Sequence, residues 1–230
     1  KQEIFAYNEP KITFCDIEVE ITEGFPEAHL AENKITAICL IRGNKILLMG
    51  IKELTDYQIE VMQEDINKYF KKFNTNYKLQ WIYFESEYKM VYAFFNEYLK
   101  GIDVLTGWNF IGYDWVYFVT RARKLGINPN VASPTGKLIK PWKKTDTKQK
   151  PTFEELPKHK LVFDYMDIFD KWDTSIKIKE SNSLDFVSSQ VLGVKKYEYE
   201  GNLKDLYHKD WNAYCLYNCI DTALVQLIHN

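Results

Sequence analysis

Apolar and polar residues alternate over Lys11–Glu20, and Ile12, Phe14, Ile17 and Val19 there predict a strand. Thr36–Arg42 predicts a second strand and Lys45–Met49 a third across the Gly43-Asn44 turn, so the chain opens as a meander of hairpins. The period then changes. Ile59, Met62, Ile66, Tyr69 and Phe73 recur at helical spacing and predict an amphipathic helix over Asp56–Phe73. Leu79–Phe84 reads as a strand, and Ser86 as the N-cap of a helix that runs to Lys100 and stops at Gly101. Asp103–Thr106 is a short buried strand, Gly107–Gly112 a loop, and Tyr113–Leu125 a helix closed by Gly126 and then Pro129. Leu161–Phe169 begins as strand and continues as helix. Ser183 caps Leu184–Leu192, which Gly193 ends, and Asp210 caps the last helix, Trp211–His229. Early strands followed by helices that cross between later ones predict an α/β fold with a mixed central sheet flanked by helices.

With 230 residues, 46% of them hydrophobic, the chain is long enough to bury a sizeable core as one large α/β domain or two small ones, and a single domain over residues 1–230 is expected. Lys137–Lys160 breaks the pattern: eight lysines and three prolines with little periodicity predict an inserted loop or exposed hairpin. Its cations suit phosphate contacts as well as they suit a solvated loop. A net charge of -2 argues against a non-specific nucleic-acid coat protein but not against a DNA enzyme, whose acidic centre offsets basic surfaces. No apolar run approaches 18 residues, so no membrane span is expected. Cys15, Cys39, Cys215 and Cys219 form no CxxC pair, and the four histidines no ligand spacing; reduced, packed thiols in an intracellular compartment follow. The chain starts at Lys1 rather than Met, which points to a fragment of something longer.

Three short segments carry the candidate chemistry. Asp16-Ile17-Glu18 lies inside an apolar strand, and residues two apart on a strand share a face, so both carboxylates project together while Cys15, Ile17 and Val19 pack behind. Two like charges about 4 Å apart cost about 1 kcal/mol in water and several times that at lower dielectric, a penalty that a cation removes. Read alone, the pair is more simply an exposed strand face at a sheet edge than a metal site. The second segment runs from Leu105 to Asp114, with Gly107 and Gly112 bracketing a turn in which Asn109 either bonds a nucleotide or fixes the loop. Asp114 sits in the first turn of the next helix, where an acid also complements the helix dipole. The third is Tyr217-Asn218-Cys219-Ile220-Asp221, where helical spacing aims the Tyr217 phenol and the Asp221 carboxylate at one spot.

Taken together and in this order, the segments resemble the three exonuclease motifs of the proofreading 3′→5′ exonuclease domain of family B DNA polymerases, of the kind with a motif tyrosine. Asp16-Ile17-Glu18 matches the first motif, Asn109…Tyr113-Asp114 the second and Tyr217…Asp221 the third, and the spacing between the last two fits the T-even-like phage members. The resemblance covers nearly the whole chain and implies a ribonuclease-H-like fold and two divalent cations, Mg²⁺ or Mn²⁺, on Asp16, Glu18, Asp114 and Asp221. It implies that Tyr217 orients the attacking water and that Lys196, similar to a family lysine motif, stabilises phosphate charge. Phe25 beside Pro26 is similar to a Phe that packs on bases of the primer end; Tyr113, Asn109 and Trp108 are further DNA-contact candidates. Asp164 and Tyr199-Glu200-Gly201 also have counterparts. The implied substrate is a single-stranded DNA 3′ end, the implied partner a polymerase core in the same parent chain, and the implied setting the cytoplasm of a bacterium or phage-infected host. Departures are Cys15, where many members carry Phe, and Asp56–Phe73, which has no clear counterpart. The Asp-Thr-Asp of a polymerase palm is absent, and Thr145-Asp146-Thr147 does not replace it. The alternatives are a freestanding exonuclease of the same superfamily acting on DNA or RNA, or a catalytically silent DNA-binding module.

Overall fold

Strand β1 (Ile12–Val19) pairs antiparallel with β2 (Ile35–Arg42) on one side and parallel with β5 (Val104–Gly107) on the other in the computed structural model, which describes residues 10–22, 24–140, 154–176 and 180–230. Beyond β2, the sheet continues through β3 (Lys45–Gly50), antiparallel to it, and β4 (Lys78–Tyr83), parallel to β3. Beyond β5 lies β8 (Leu161–Asp164), again parallel. The six-stranded mixed sheet therefore has the order β4-β3-β2-β1-β5-β8. The opening meander is present as expected, and the α/β mixed sheet with flanking helices agrees with a ribonuclease-H-like exonuclease fold.

Alternation along the strands sends two sets of side chains to opposite faces. On one face Cys15, Ile17, Val19, Ile38 and Leu40 pack against α2 (Glu87–Asn96) and α3 (Asp114–Lys124). On the other, Phe14, Cys39, Ile41 and Leu48 pack against α1 (Asp56–Tyr69), α5 (Leu184–Val191) and α7 (Trp211–His229). Helix α7 is buried nearly all round from Tyr214 to Ile228, and apolar residues occupy several of its sides, with Asn218, Asp221, Thr222 and Gln226 as buried polar exceptions. The expected caps form: Ser86, Ser183 and Asp210 each accept a hydrogen bond from a backbone amide in the first turn of their helices. All four cysteines are buried and free.

The helix expected over Asp56–Phe73 divides: α1 ends at Tyr69, and Lys71–Phe73 tightens into a 3₁₀ turn closed by Asn74 in the left-handed region. Likewise α2 stops at Asn96, and a 3₁₀ turn over Tyr98–Gly101 leads to β5. Leu161–Phe169 is β8 followed directly by α4 (Tyr165–Trp172), capped by Asp164. A short helix, α6 (Leu203–Lys209), stands where no element was expected. Of Lys137–Lys160, the two flanks pair as an antiparallel ribbon, β6 (Leu138–Ile139) with β7 (Leu156–Pro157); residues 141–153 lie outside the described residues. Among the described residues no helix is long and apolar enough to cross a membrane.

Candidate active site

The carboxyl ends of the parallel strands and the second half of β1 bring the site together. Asp16 and Glu18 project from β1 into a cavity of about 250 Å³. Asp114 enters it from the first residue of α3, and Tyr217 and Asp221 from one face of α7. Lys196 comes from the segment after α5, Asn109 and Tyr113 from the loop between β5 and α3, and Phe25 from the connection between β1 and β2. Every site residue expected from the sequence therefore lines one cavity, although the segments are about 100 and 200 residues apart.

Local structure explains the convergence. At Gly107, a Cβ would collide with the carbonyl oxygen of Cys15, so β5 approaches β1 this closely only because that residue is glycine. Between Glu18 and Val19 the β1–β2 register shifts, an irregularity of the kind that re-aims side chains beside active sites. The Thr36 hydroxyl holds the Glu18 carbonyl at 3.0 Å and the Tyr214 hydroxyl holds that of Val19 at 3.3 Å, so the shifted backbone keeps its partners. The Ile17 amide donates to Asp114 Oδ1 at 3.2 Å and ties α3 to β1.

Charge is crowded here. Burial, and then Asp221, push the Asp16 carboxyl up to about 7, against the opposing pull of Lys196 and Asn218. Burial and the neighbouring carboxylates raise Glu18 and Asp114 well above the ordinary carboxylate range, and burial raises Asp221 although Lys196 holds it down. The Lys196 ammonium is ion-paired with Asp221 and donates to the Tyr217 hydroxyl at 2.9 Å. Burial works against that ammonium, but Asp221, Asp16 and Glu18 outweigh it and raise its pKa. Burial and the same carboxylates drive the Tyr217 phenol far up, so it stays protonated.

The donor set fits a hard divalent cation. It consists of carboxylate oxygens only, their mutual repulsion is offset by one lysine, and Asp221 Oδ1 is buried without a hydrogen-bond partner. Among the described residues no three acidic, His or Cys side chains already converge tightly enough to hold an ion by themselves.

The DNA-contact candidates differ in how they are held. Phe25 is 75% exposed at the mouth of the cavity, its ring 5.3 Å from that of Tyr113. Asn109 adopts a left-handed backbone (φ 54°) and its side-chain oxygen sits over Gly112, which engages it in its own loop. Trp108 borders the cavity but is anchored in packing: its indole N–H donates to the Asn182 carbonyl at 2.8 Å and its ring meets Phe169.

Two residues without an expected role shape the site. Asn218, wholly buried, donates from Nδ2 to Asp16 Oδ2 at 2.7 Å; its signal was a polar residue inside an apolar helical stripe. Asp164 accepts from the Ile111 and Met166 amides, both at 3.0 Å, so it caps α4 and pins the loop that carries Asn109 and Tyr113.

A family model for "DNA polymerase family B, exonuclease domain" matches residues 1–187. The match ends before Lys196, Tyr217 and Asp221, the part of the site that comes from the C-terminal third of the chain. The "DNA-directed DNA polymerase" of Escherichia phage RB69 is similar over 95% of this chain, at 25% identity over 240 aligned residues. The aligned region is 25% of that relative, so the chain spans about a quarter of its length.

Proposed function

We infer that this chain, which belongs to the exonuclease-domain family of family B DNA polymerases, removes nucleotides from the 3′ end of single-stranded or mispaired primer DNA and proofreads for a polymerase core in the same parent chain. The observation that supports this reading is the single cavity in which carboxylates from β1, α3 and α7 meet beside Lys196 and Tyr217, with exposed Phe25 at its mouth.

Asp16, Glu18, Asp114 and Asp221 would hold two divalent cations, Mg²⁺ or Mn²⁺. When bound, the cations supply a hydroxide nucleophile at neutral pH and neutralise charge on the leaving 3′ oxygen. The protein's own groups do the rest. Tyr217 remains a neutral phenol beside Asp221, so it orients the attacking water and does not act as base. Lys196 places a positive charge against the scissile phosphate. Asn218 fixes the rotamer of Asp16, and the Ile17 amide that of Asp114. Phe25, with Tyr113 behind it, offers a stacking platform to an unpaired terminal base. A frayed end reaches the cavity without an unpairing cost, which gives the preference for mispaired termini its physical basis. The host-cell cytoplasm is the setting in which such a domain meets its substrate.

The test is degradation of a 5′-labelled single-stranded DNA oligonucleotide with Mg²⁺ or Mn²⁺. A ladder of products shortened from the 3′ end is expected, none with chelator, and none from Asp16→Ala. Binding without products would mark a silent DNA-binding module. Faster loss of an RNA oligonucleotide would point to a different substrate class.

A further inference from the structure

The described residues also enclose a cavity far from the carboxylate cluster. A groove of about 390 Å³ opens at the other end of the sheet, where β1 begins and β2 ends. Leu40, Leu47, Tyr98 and Ile102 give it apolar walls, and the Tyr98–Gly101 turn closes one side. Across its rim Arg42, Lys45 and Lys78 stand in direct register on three neighbouring strands. With strands about 4.8 Å apart, this row of cations is roughly 10 Å long. Like charges directly opposite one another on a sheet destabilise it. Among the described residues none of the three has a carboxylate partner; Arg42 donates to the Gly101 carbonyl at 3.0 Å, which joins the turn to the sheet. The groove is also bordered by Thr13, 3% exposed, whose Oγ1 has no hydrogen-bond partner.

We propose that this groove is a second, non-catalytic ligand site for a small organic polyphosphate of nucleotide size, its phosphates on the Arg42–Lys45–Lys78 row, its planar body against Tyr98 and the leucines, and Thr13 as the buried polar contact. A cation row with no carboxylate partner among the described residues calls for a polyanion, and the apolar wall for a body that inorganic phosphate lacks. The volume lies in the range of small-molecule sites. The site is independent of the nuclease reading.

The experiment is NMR titration of the ¹⁵N-labelled 230-residue chain in EDTA, with ATP as probe and adenosine, inorganic tripolyphosphate and a short oligothymidylate as separate arms. ATP is expected to saturate shifts at the Thr13, Gly101 and Ile102 amides and to bind more tightly than the other three. Lys45→Ala/Lys78→Ala should weaken ATP at least tenfold, since each charge-assisted bond lost is worth roughly a factor of 10. The same variant should melt no lower than the parent, because it relieves like-charge repulsion. Shifts confined to the Asp16 end, tripolyphosphate as tight as ATP, tighter oligothymidylate, or unchanged affinity in the folded double variant would each overturn the proposal.

Discussion

Asn218 Nδ2 donates a 2.7 Å hydrogen bond to Asp16 Oδ2, joining α7 to β1 across 202 residues of sequence. The bond fixes which Asp16 oxygen is engaged and leaves the other for the cavity. Partners that orient a ligand in this way are typically worth about 10–100-fold in metal affinity or activity. Asn218→Ala is expected to lower hydrolysis by that order and to raise the Mn²⁺ concentration needed for half-maximal rate, read from a metal titration of oligonucleotide degradation. A rate loss with an unchanged metal requirement would count against orientation of Asp16 as the cause.

The buried carboxylates make the metal-free chain sensitive to pH. Asp16 titrates near 3.8 when unfolded and about 7 when folded, so the folded chain holds the proton between those values. The stabilising contribution is complete below about pH 3.8 and is lost as pH rises through about 7; Glu18, Asp114 and Asp221, also raised, act with the same sign. In EDTA, the melting temperature should therefore fall from pH 5 to pH 8. Asp16→Asn should flatten that slope and melt higher than the parent at pH 8, measured by circular dichroism; an identical pH profile would refute the electrostatic account.

Phe25 is 75% exposed, so its truncation opens no cavity. Base–aromatic stacking is worth about 1–3 kcal/mol. Phe25→Ala should weaken binding of a single-stranded 3′ end by that amount, followed by fluorescence anisotropy, with the melting temperature unchanged. Unaltered DNA affinity would reduce Phe25 to a neighbour of Tyr113.

A buried ion pair holds the segment between β1 and β2 in place. Arg121 grips Glu87 through two bonds of 2.7 and 2.8 Å and also donates to the Ala31 and Glu32 carbonyls, while Glu87 accepts from the Ile35 amide at 2.8 Å. Removing one partner of such a pair strands the other, at about 3–5 kcal/mol. Glu87→Ala should lose stability of that order in urea denaturation. A loss below about 1 kcal/mol would show that the pair is solvated.

Periodicity carried the fold as far as local rules reach. The hairpins, the capped helices at Ser86, Ser183 and Asp210, the two-apart Asp16 and Glu18 and the four-apart Tyr217 and Asp221 were legible because each depends on neighbours in sequence. Helix α6 was not: at seven residues, capped by Asn202, it owes its existence to Leu206 and Tyr207 docking on Tyr214. Only the family resemblance separated Lys196, which reaches Asp221, from its neighbour Lys195, and sequence assigned no role to Asn218, Asp164 or the Glu87–Arg121 pair. Those depend on which side chains face each other after long crossovers, and local spacing carries no record of that.

The distances in sequence spanned by the Ile17–Asp114 and Asp16–Asn218 bonds, 97 and 202 residues, also set an order in time. During synthesis β1 leaves the ribosome before α3 and α7, and its acids wait without them until most of these 230 residues have followed. A nascent chain shorter than Asn218 has neither the clamp on Asp16 nor the carboxylate of Asp221. Cutting activity would thus switch on only near the end of translation of this region, and a nick or truncation ahead of α7 would disarm the unit however intact its first 200 residues remained.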